Sequence, residues 1–360
     1  MNSEMRTDED SRHEHDSRQQ HDSRQQDEQK LRKAWQLPIE VAKYTTVLGI
    51  IAFCAWVVRS KLKNITWEQI FESLRNIPPS QILLAVVITA LNFIVLTGYD
   101  WIAVTYLKKK LSLSKIMVGA VVGYAFSNLV GWMLGGTAVR YRLYSRWGFT
   151  FIDIVAFISL LTVTFWMGMF LLAGIAFVLL PVQLPEEYQD KLYFEPMTFG
   201  YLFLAVILGY LIATLVIRKP LKIAGQEYSF PPMNLSMLQL FVSAADFALA
   251  SLVLYILLPD GTANYSTVLV SYLAAMIVTV TLHVPGGFGI LEVIVLDLLT
   301  KKEVTPSNEL IVAVTCGLLL FRVIYYFIPG LIALMMFLWQ ELISWKASKK
   351  EADLAVGDNI

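Results

Sequence analysis

Charged side chains inside apolar stretches are the residues of this sequence that could do chemistry. The run Gly135-Gly136-Thr137-Ala138-Val139-Arg140-Tyr141-Arg142-Leu143-Tyr144 follows a long apolar segment with no polar linker between them. Adjacent glycines break a helix and let backbones approach closely. An arginine at membrane depth costs about 2.5–3.5 kcal/mol on insertion scales, so it needs a partner or a purpose. A guanidinium forks onto phosphate, and a helix restarting after a glycine break offers free N–H groups to the same anion. Arg140, four residues past the glycines, is therefore the candidate for holding an anionic headgroup. Arg142 and Arg146 lie nearer the exit and read more simply as side chains that snorkel to headgroups. A second break, Pro285-Gly286-Gly287-Phe288-Gly289, is followed by an acid, Glu292. Asp246 and Arg322 stand ten and thirteen residues into apolar spans, roughly 15 and 20 Å deep at the helical rise. A charge near the midplane of a roughly 30 Å core is a functional hypothesis with a partner to be named. The expected partner of Arg322 is Asp246 or Glu292. Such a pair either fixes packing or lines a polar path, where it can be exchanged for a lipid phosphate or a proton.

Other chemistry is not signalled. His283 is a lone histidine, more often structural. Tyr99 and Asp100, near the end of a span, read as interfacial, and Pro329-Gly330 reads as a kink. There is no P-loop, GxSxG, HExxH or cysteine cluster, so neither ATP-driven transport nor a nucleophile nor a metal site is indicated. Cys54 and Cys316 both lie in apolar segments and read as buried thiols. The chain runs about twenty residues past its last span, so no soluble catalytic domain is expected. The expectation is a protein that is not an enzyme, with no cofactor and no metal.

The elements that must position these charges are membrane helices. Hydrophobic residues make up 56% of the 360 and charged residues 16%, with a mean hydropathy of +0.57. Several apolar runs reach the roughly 20 residues needed to cross a bilayer, and the short alternating segments of a β-barrel are missing. Residues 1–33 form a polar tail in which His15-Asp16-Ser17-Arg18-Gln19-Gln20 repeats as His21-Asp22-Ser23-Arg24-Gln25-Gln26, a tract expected to be disordered. The membrane domain is placed at 34–345 and a cytoplasmic tail at 346–360. Full spans are expected at 41–58, 80–107, 152–180, 199–217, 235–258 and 309–339.

Charge bias sets the topology. Lys108-Lys109-Lys110, Arg218-Lys219 with Lys222, and the basic C-terminal tail are expected in the cytoplasm, and the acidic loop 181–198 outside. Both ends of 111–151 are then cytoplasmic. That apolar segment, interrupted by Gly131, Gly135 and Gly136, is expected to enter the membrane and turn back. By the same reasoning 259–308 starts and ends outside, and Pro285, Gly286 and Gly287 mark the tip of a hairpin dipping from that side. The spacing agrees: 54 residues separate Gln81 from Gly135, and 50 separate Ser236 from Gly286. The predicted fold is an all-α polytopic membrane protein with two inverted repeats, about 80–180 and 235–340, joined by the span at 199–217. It has about six full spans and two re-entrant hairpins made from broken helices. Inverted repeats of this kind are a transporter architecture. One loop disagrees with the charge rule: 59–79 comes out external although it holds Arg59, Lys61, Lys63 and Arg75 against Glu68 and Glu72.

The two glycine motifs, together with Arg322-Val323-Ile324-Tyr325-Tyr326-Phe327-Ile328-Pro329-Gly330, resemble the transmembrane region of the lysylphosphatidylglycerol synthases, the multiple peptide resistance factors of bacteria. The resemblance spans roughly residues 40–340. It implies a lipid role. In two-domain members this region is thought to flip an aminoacylated phospholipid that a cytosolic domain makes from charged tRNA. The expectation for this chain is a bacterial inner-membrane protein, both termini cytoplasmic, that binds and translocates an anionic or aminoacylated phospholipid or a lipid-linked substrate. Arg140, Arg142, Glu292, Arg322 and Asp246 would be the substrate-binding residues. The alternative is a membrane subunit or enzyme of headgroup modification, working with a separately encoded aminoacyltransferase or other lipid-modifying enzyme. Membrane phospholipid is the expected partner, nucleic acid is not, and a homo-oligomer stays open.

Overall fold

The structure, a computed structural model, describes residues 67–180, 195–217, 221–223, 226–228, 230–300 and 307–357. The predicted tail at 1–33, the predicted span at 41–58 and nearly all of the acidic loop lie outside the described residues. A short helix α1 (Trp67–Arg75) precedes α2 (Pro79–Tyr106), α3 (Leu113–Val130), α4 (Ala138–Arg146), α5 (Phe151–Leu179) and α6 (Pro196–Val216). A small antiparallel hairpin of β1 (Leu221–Ile223) and β2 (Gln226–Tyr228) leads into α7 (Met233–Leu257), α8 (Tyr265–Thr281), α9 (Ile290–Thr300), α10 (Asn308–Phe321) and α11 (Ile328–Gly357). This is an all-α polytopic membrane protein.

Six of the described helical stretches are long and apolar enough to cross a membrane: Pro79–Tyr106, Leu113–Val130, Phe151–Leu179, Pro196–Val216, Met233–Leu257 and Asn308–Lys346. Five coincide with expected full spans. Leu113–Val130 does not cross alone, because the chain turns back at its end. Helix α6 shows what surrounds the bundle. Tyr201, Leu202, Leu208, Leu215 and Val216 are all more than half exposed, and only Gly200 and Ile207 of this helix are buried. An apolar face of that extent suits lipid rather than water.

Helix starts follow local rules. Pro79 and Pro196 open their helices, where a missing N–H costs nothing. Thr150 and Asp153 form a reciprocal capping box, and Asp153 also takes a salt bridge from Lys109 at 2.6 Å. That closes the turn between the first hairpin and α5 at the lysine-rich end of α2.

The first hairpin is re-entrant, as expected. Helix α3 ends at Gly131 (φ 98°), a π-type turn follows over Trp132–Thr137, and α4 returns beside α3. Tyr144 packs on Gly119, Arg140 on Gly123 and Ser127 on Gly136. This is the antiparallel register of a chain that leaves by the end it entered. Close approach explains the glycines of α3: a Cβ on Gly123 would stand 2.5 Å from the Arg140 guanidinium carbon. The second hairpin is α8, a tight turn at Pro285–Gly287, and α9. Gly286 and Gly287 take φ of 63° and 60°, a conformation that side chains disfavour. Gly287 sits against Thr279 as the chain turns back.

The two halves are inverted copies in topology. Helix α2, the first hairpin and α5 make up the first half, and α7, the second hairpin and α10–α11 the second, with α6 between; α2 and α7, which open the two halves, run in opposite directions. Helices α2 and α7 cross antiparallel near their midpoints, where Asn92 donates to Asp246. Helices α5 and α7 run parallel, joined by Gln239 Nε2 donating to Thr164 Oγ1 at 2.7 Å and Ser243 Oγ to the Phe165 carbonyl at 3.3 Å. A π-type turn over Arg322–Phe327 stands just before Pro329, where the sequence leads one to expect a kink. Proline removes one helical hydrogen bond and clashes with the preceding turn, and the wider turn absorbs both effects.

Candidate functional site

The hairpin tips meet. A Cβ on Gly286 would lie 2.8 Å from the carbonyl oxygen of Asn128, so the turn of the second hairpin rests on the tip of the first. Gly330 of α11 takes Leu129 of the same tip. Ser127 ties its own helix by donating to the Gly123 carbonyl at 2.8 Å. Around the tips Val130, Leu282, His283, Val323 and Phe327 stay exposed, so the junction has an open flank.

Three buried polar clusters lie behind this junction. In the first, Arg140 Nη2 donates to Asp100 Oδ1 at 3.3 Å and Tyr144 Oη to Asp100 Oδ2 at 2.6 Å. The guanidinium lies over the Tyr124 ring, 4.3 Å from its centre. Arg140 is 1% exposed and Asp100 0%. Asp100 and Tyr99 are therefore core residues, correcting the interfacial reading. Their sequence position near the lysine end of α2 hid the return of α4 over them. A carboxylate six residues inside an apolar helix was the available signal.

In the second cluster Arg322 latches the second hairpin. Its Nε and Nη2 fork onto Glu292 at 2.5 and 3.1 Å, while Nη1 and Nη2 donate to the carbonyls of Gly286 and Gly287 at 2.5 and 2.9 Å. The Gly289 N–H donates to the same Glu292 at 2.8 Å. Phe288 and Tyr326 sandwich the guanidinium, with ring centres 4.8 and 4.5 Å away. Of the two partners expected for Arg322, Glu292 is the one it meets, because Glu292 lies on the returning limb that Arg322 faces. In both halves a buried arginine–carboxylate pair ties the returning limb to a full span. The signs are swapped: the hairpin supplies arginine in the first half and glutamate in the second.

The third cluster holds Asp246 without a cation. Asn92 Nδ2 donates to its Oδ1 at 3.0 Å and to its main-chain carbonyl at 2.9 Å. Tyr99 Oη stands 2.9 Å from Asp246 Oδ2 and 2.7 Å from Ser243 Oγ. Tyr325 Oη donates to Asn92 Oδ1 at 2.9 Å. Tyr99, Asn92 and Tyr325 were missed as a group, since their spacing in the chain says nothing of a shared cluster.

Arg142 stands apart from all three. Its side chain is 60% exposed and forks onto Glu341, which Arg146 shares at 2.6 Å. Two arginines on one carboxylate leave a net positive charge at the lysine-rich end of the bundle. Burial thus separates the predicted residues: Arg140, Arg322 and Asp246 are internal, Glu292 is partly covered, and Arg142 is open.

Comparison with known proteins agrees with this architecture. Residues 44–333 match the family described as the lysylphosphatidylglycerol synthase TM region. An uncharacterized protein of Synechocystis, slr0712, is 35% identical over 298 residues, covering 82% of this chain and 90% of that protein. Inner membrane protein YbhN of Escherichia coli is 30% identical over 313 residues, 87% of this chain and 95% of its own. Phosphatidylglycerol lysyltransferase of Staphylococcus aureus is 24% identical over 302 residues, 82% of this chain but 34% of that protein. With its glycine-broken hairpins and the match over most of its length, this chain belongs to the lysylphosphatidylglycerol synthase transmembrane-region family.

Proposed function

We propose that the protein binds an anionic or aminoacylated phospholipid, or a lipid-linked substrate, and moves it between the leaflets of a bacterial inner membrane. The observation that carries this reading is the meeting of two hairpins from opposite ends of the bundle, tip to tip at Asn128 and Gly286. A headgroup crossing hydrocarbon alone bears its full desolvation cost. Broken helices supply polar backbone at depth, and helices restarting after a break offer N–H groups to an anion. Arg142 and Arg146 are the first contact for an arriving phosphate, since Glu341 is the one carboxylate they share and a second anion is needed to match their charge. Arg140 serves differently from the sequence expectation. Committed to Asp100, it holds the hairpin and meets the headgroup only if that pair opens. The exposed apolar residues at the tips would accept acyl chains. Both termini lie in the cytoplasm in this reading, and the protein acts as a carrier rather than as the enzyme that modifies the lipid.

The test is leaflet exchange in liposomes of purified protein carrying a fluorescent phosphatidylglycerol, read by an impermeant quencher. Wild type is expected to move the label, and Arg142→Ala, whose side chain is exposed, to slow it while remaining folded. Absence of any movement by wild type, across anionic lipids of several headgroups, would overturn translocation as the protein's own activity.

A further inference from the structure

Asp246 is a carboxylate without a counter-charge in the middle of the protein. It is 7% exposed and stands thirteen residues from the start of α7, as Asn92 stands thirteen from the start of α2. The two residues thus occupy matching places in the inverted halves and touch each other where the halves cross. Helix α2 brings Asn92 and Tyr99 to the carboxylate, α7 brings Ser243, and Tyr124 of α3, Tyr272 of α8, and Tyr325 and Tyr326 of the π-type turn complete the surroundings. Helix α5 contributes only the Phe165 carbonyl, through Ser243. The neighbouring charges are already paired, Arg140 with Asp100 and Arg322 with Glu292. No Lys, Arg or His among the described residues bonds to Asp246.

The hydroxyls beside it can be satisfied in two ways. With Asp246 ionised, Ser243 donates to Tyr99 and Tyr99 donates to Asp246 Oδ2. With Asp246 protonated, both bonds reverse and the Ser243 proton turns to a new acceptor: Oδ2–H donates to Tyr99, Tyr99 to Ser243, and Ser243 to the Phe165 carbonyl. Each hydroxyl carries one proton and both orders leave no donor stranded. Asn92 keeps donating to Oδ1 in either state, and Tyr325 holds that amide in place by donating to its oxygen. A metal ion fits less well, because both carboxylate oxygens already face hydrogen-bond donors. A buried charge unmatched by a cation is retained at a cost, and a reversible chain of hydroxyls is what exchange of one proton needs.

We propose that Asp246 is an exchangeable proton site: Oδ2 takes one proton from water on one side, releases it to the other, and so drives the lipid movement proposed above. This rests on that functional reading only for the coupling; the site itself is tested apart from it. In the first experiment, full-length protein in nanodiscs of zwitterionic lipid is titrated and its infrared difference spectrum recorded. A protonated-carboxyl band is expected that vanishes in Asp246→Asn and shifts in Tyr99→Phe, which loses the hydroxyl between Ser243 and Oδ2. A band unchanged in both variants overturns the site. In the second, a trace-labelled phosphatidylglycerol is followed in liposomes with an imposed pH difference. One proton per lipid predicts that the leaflet ratio of the label changes by about tenfold per pH unit. The ratio should follow the gradient in wild type and not in Asp246→Asn. Movement that ignores the gradient overturns the coupling. If nothing moves, the transport reading fails, and the infrared result still decides the site.

Discussion

Replacing Arg140 with methionine removes the guanidinium and keeps much of the chain that fills the groove beside Gly123. Asp100 would then sit at zero exposure with the Tyr144 hydroxyl as its remaining bond. Breaking a buried ion pair from one side costs about 3–5 kcal/mol, because the surviving charge is stranded. At roughly 1.4 kcal/mol per decade, the folded-to-unfolded ratio falls a hundredfold or more. Removing both charges, Arg140→Met with Asp100→Leu, strands no charge and should recover part of that loss. The buried Tyr144 hydroxyl is left without its acceptor and the desolvated stacking of the guanidinium on Tyr124 is gone, so a deficit of about 2 kcal/mol should remain. The assay is equilibrium unfolding in mixed micelles, followed by tryptophan fluorescence, for wild type, both single variants and the double. A loss below about 1 kcal/mol in Arg140→Met, with no coupling to Asp100→Leu, would refute the buried latch described here. Lipid movement measured on the stable double variant then separates the latch from the cargo: retained movement means that Arg140 serves only to hold the hairpin.

Other outcomes follow from the same geometry. Ser112 and Ser145 are exposed at the two ends of the first hairpin, so cysteines placed at either should react with an impermeant maleimide from the same side of the membrane; labelling from opposite sides would rule out re-entry. Gly136→Ala should destabilise, since its Cβ would fall on the Ser127 hydroxyl and 3.0 Å from the Gly123 carbonyl, whereas Gly209→Ala, with nothing within 4 Å, should be tolerated; equal thermal stability of the two would show that the limbs are not so close. Arg322→Lys keeps the charge but not the planar fork that reaches Glu292 and two glycine carbonyls at once. A loss of about 1–3 kcal/mol in the same unfolding assay is expected, and no loss would place the turn at Pro285–Gly287 beyond that side chain's control.

Much of the architecture was legible in the chain because membrane insertion is decided locally. Run length, loop charge and glycine breaks placed five full spans, both re-entrant hairpins and the inverted order of the halves, and each of these depends on a stretch of about twenty residues and its flanks. Arg140, Glu292, Asp246 and Arg322 were found the same way, since a charge in an apolar run is conspicuous without any partner in view. Pairing is a different matter. Nothing local tells Arg322 to choose Glu292 over Asp246, or Arg140 to reach back 40 residues to Asp100. Those choices depend on how far each hairpin returns and which helix face it covers. The same holds for Asn92 and Asp246, which are 154 residues apart in the chain and touch only because the two halves cross at matching positions. Composition and periodicity decided what enters the membrane and where it turns. Only the packed structure decided which buried charge is neutralised by a neighbour and which stands without a cation, because neutralisation depends on distances of a few ångströms between residues that the chain holds far apart.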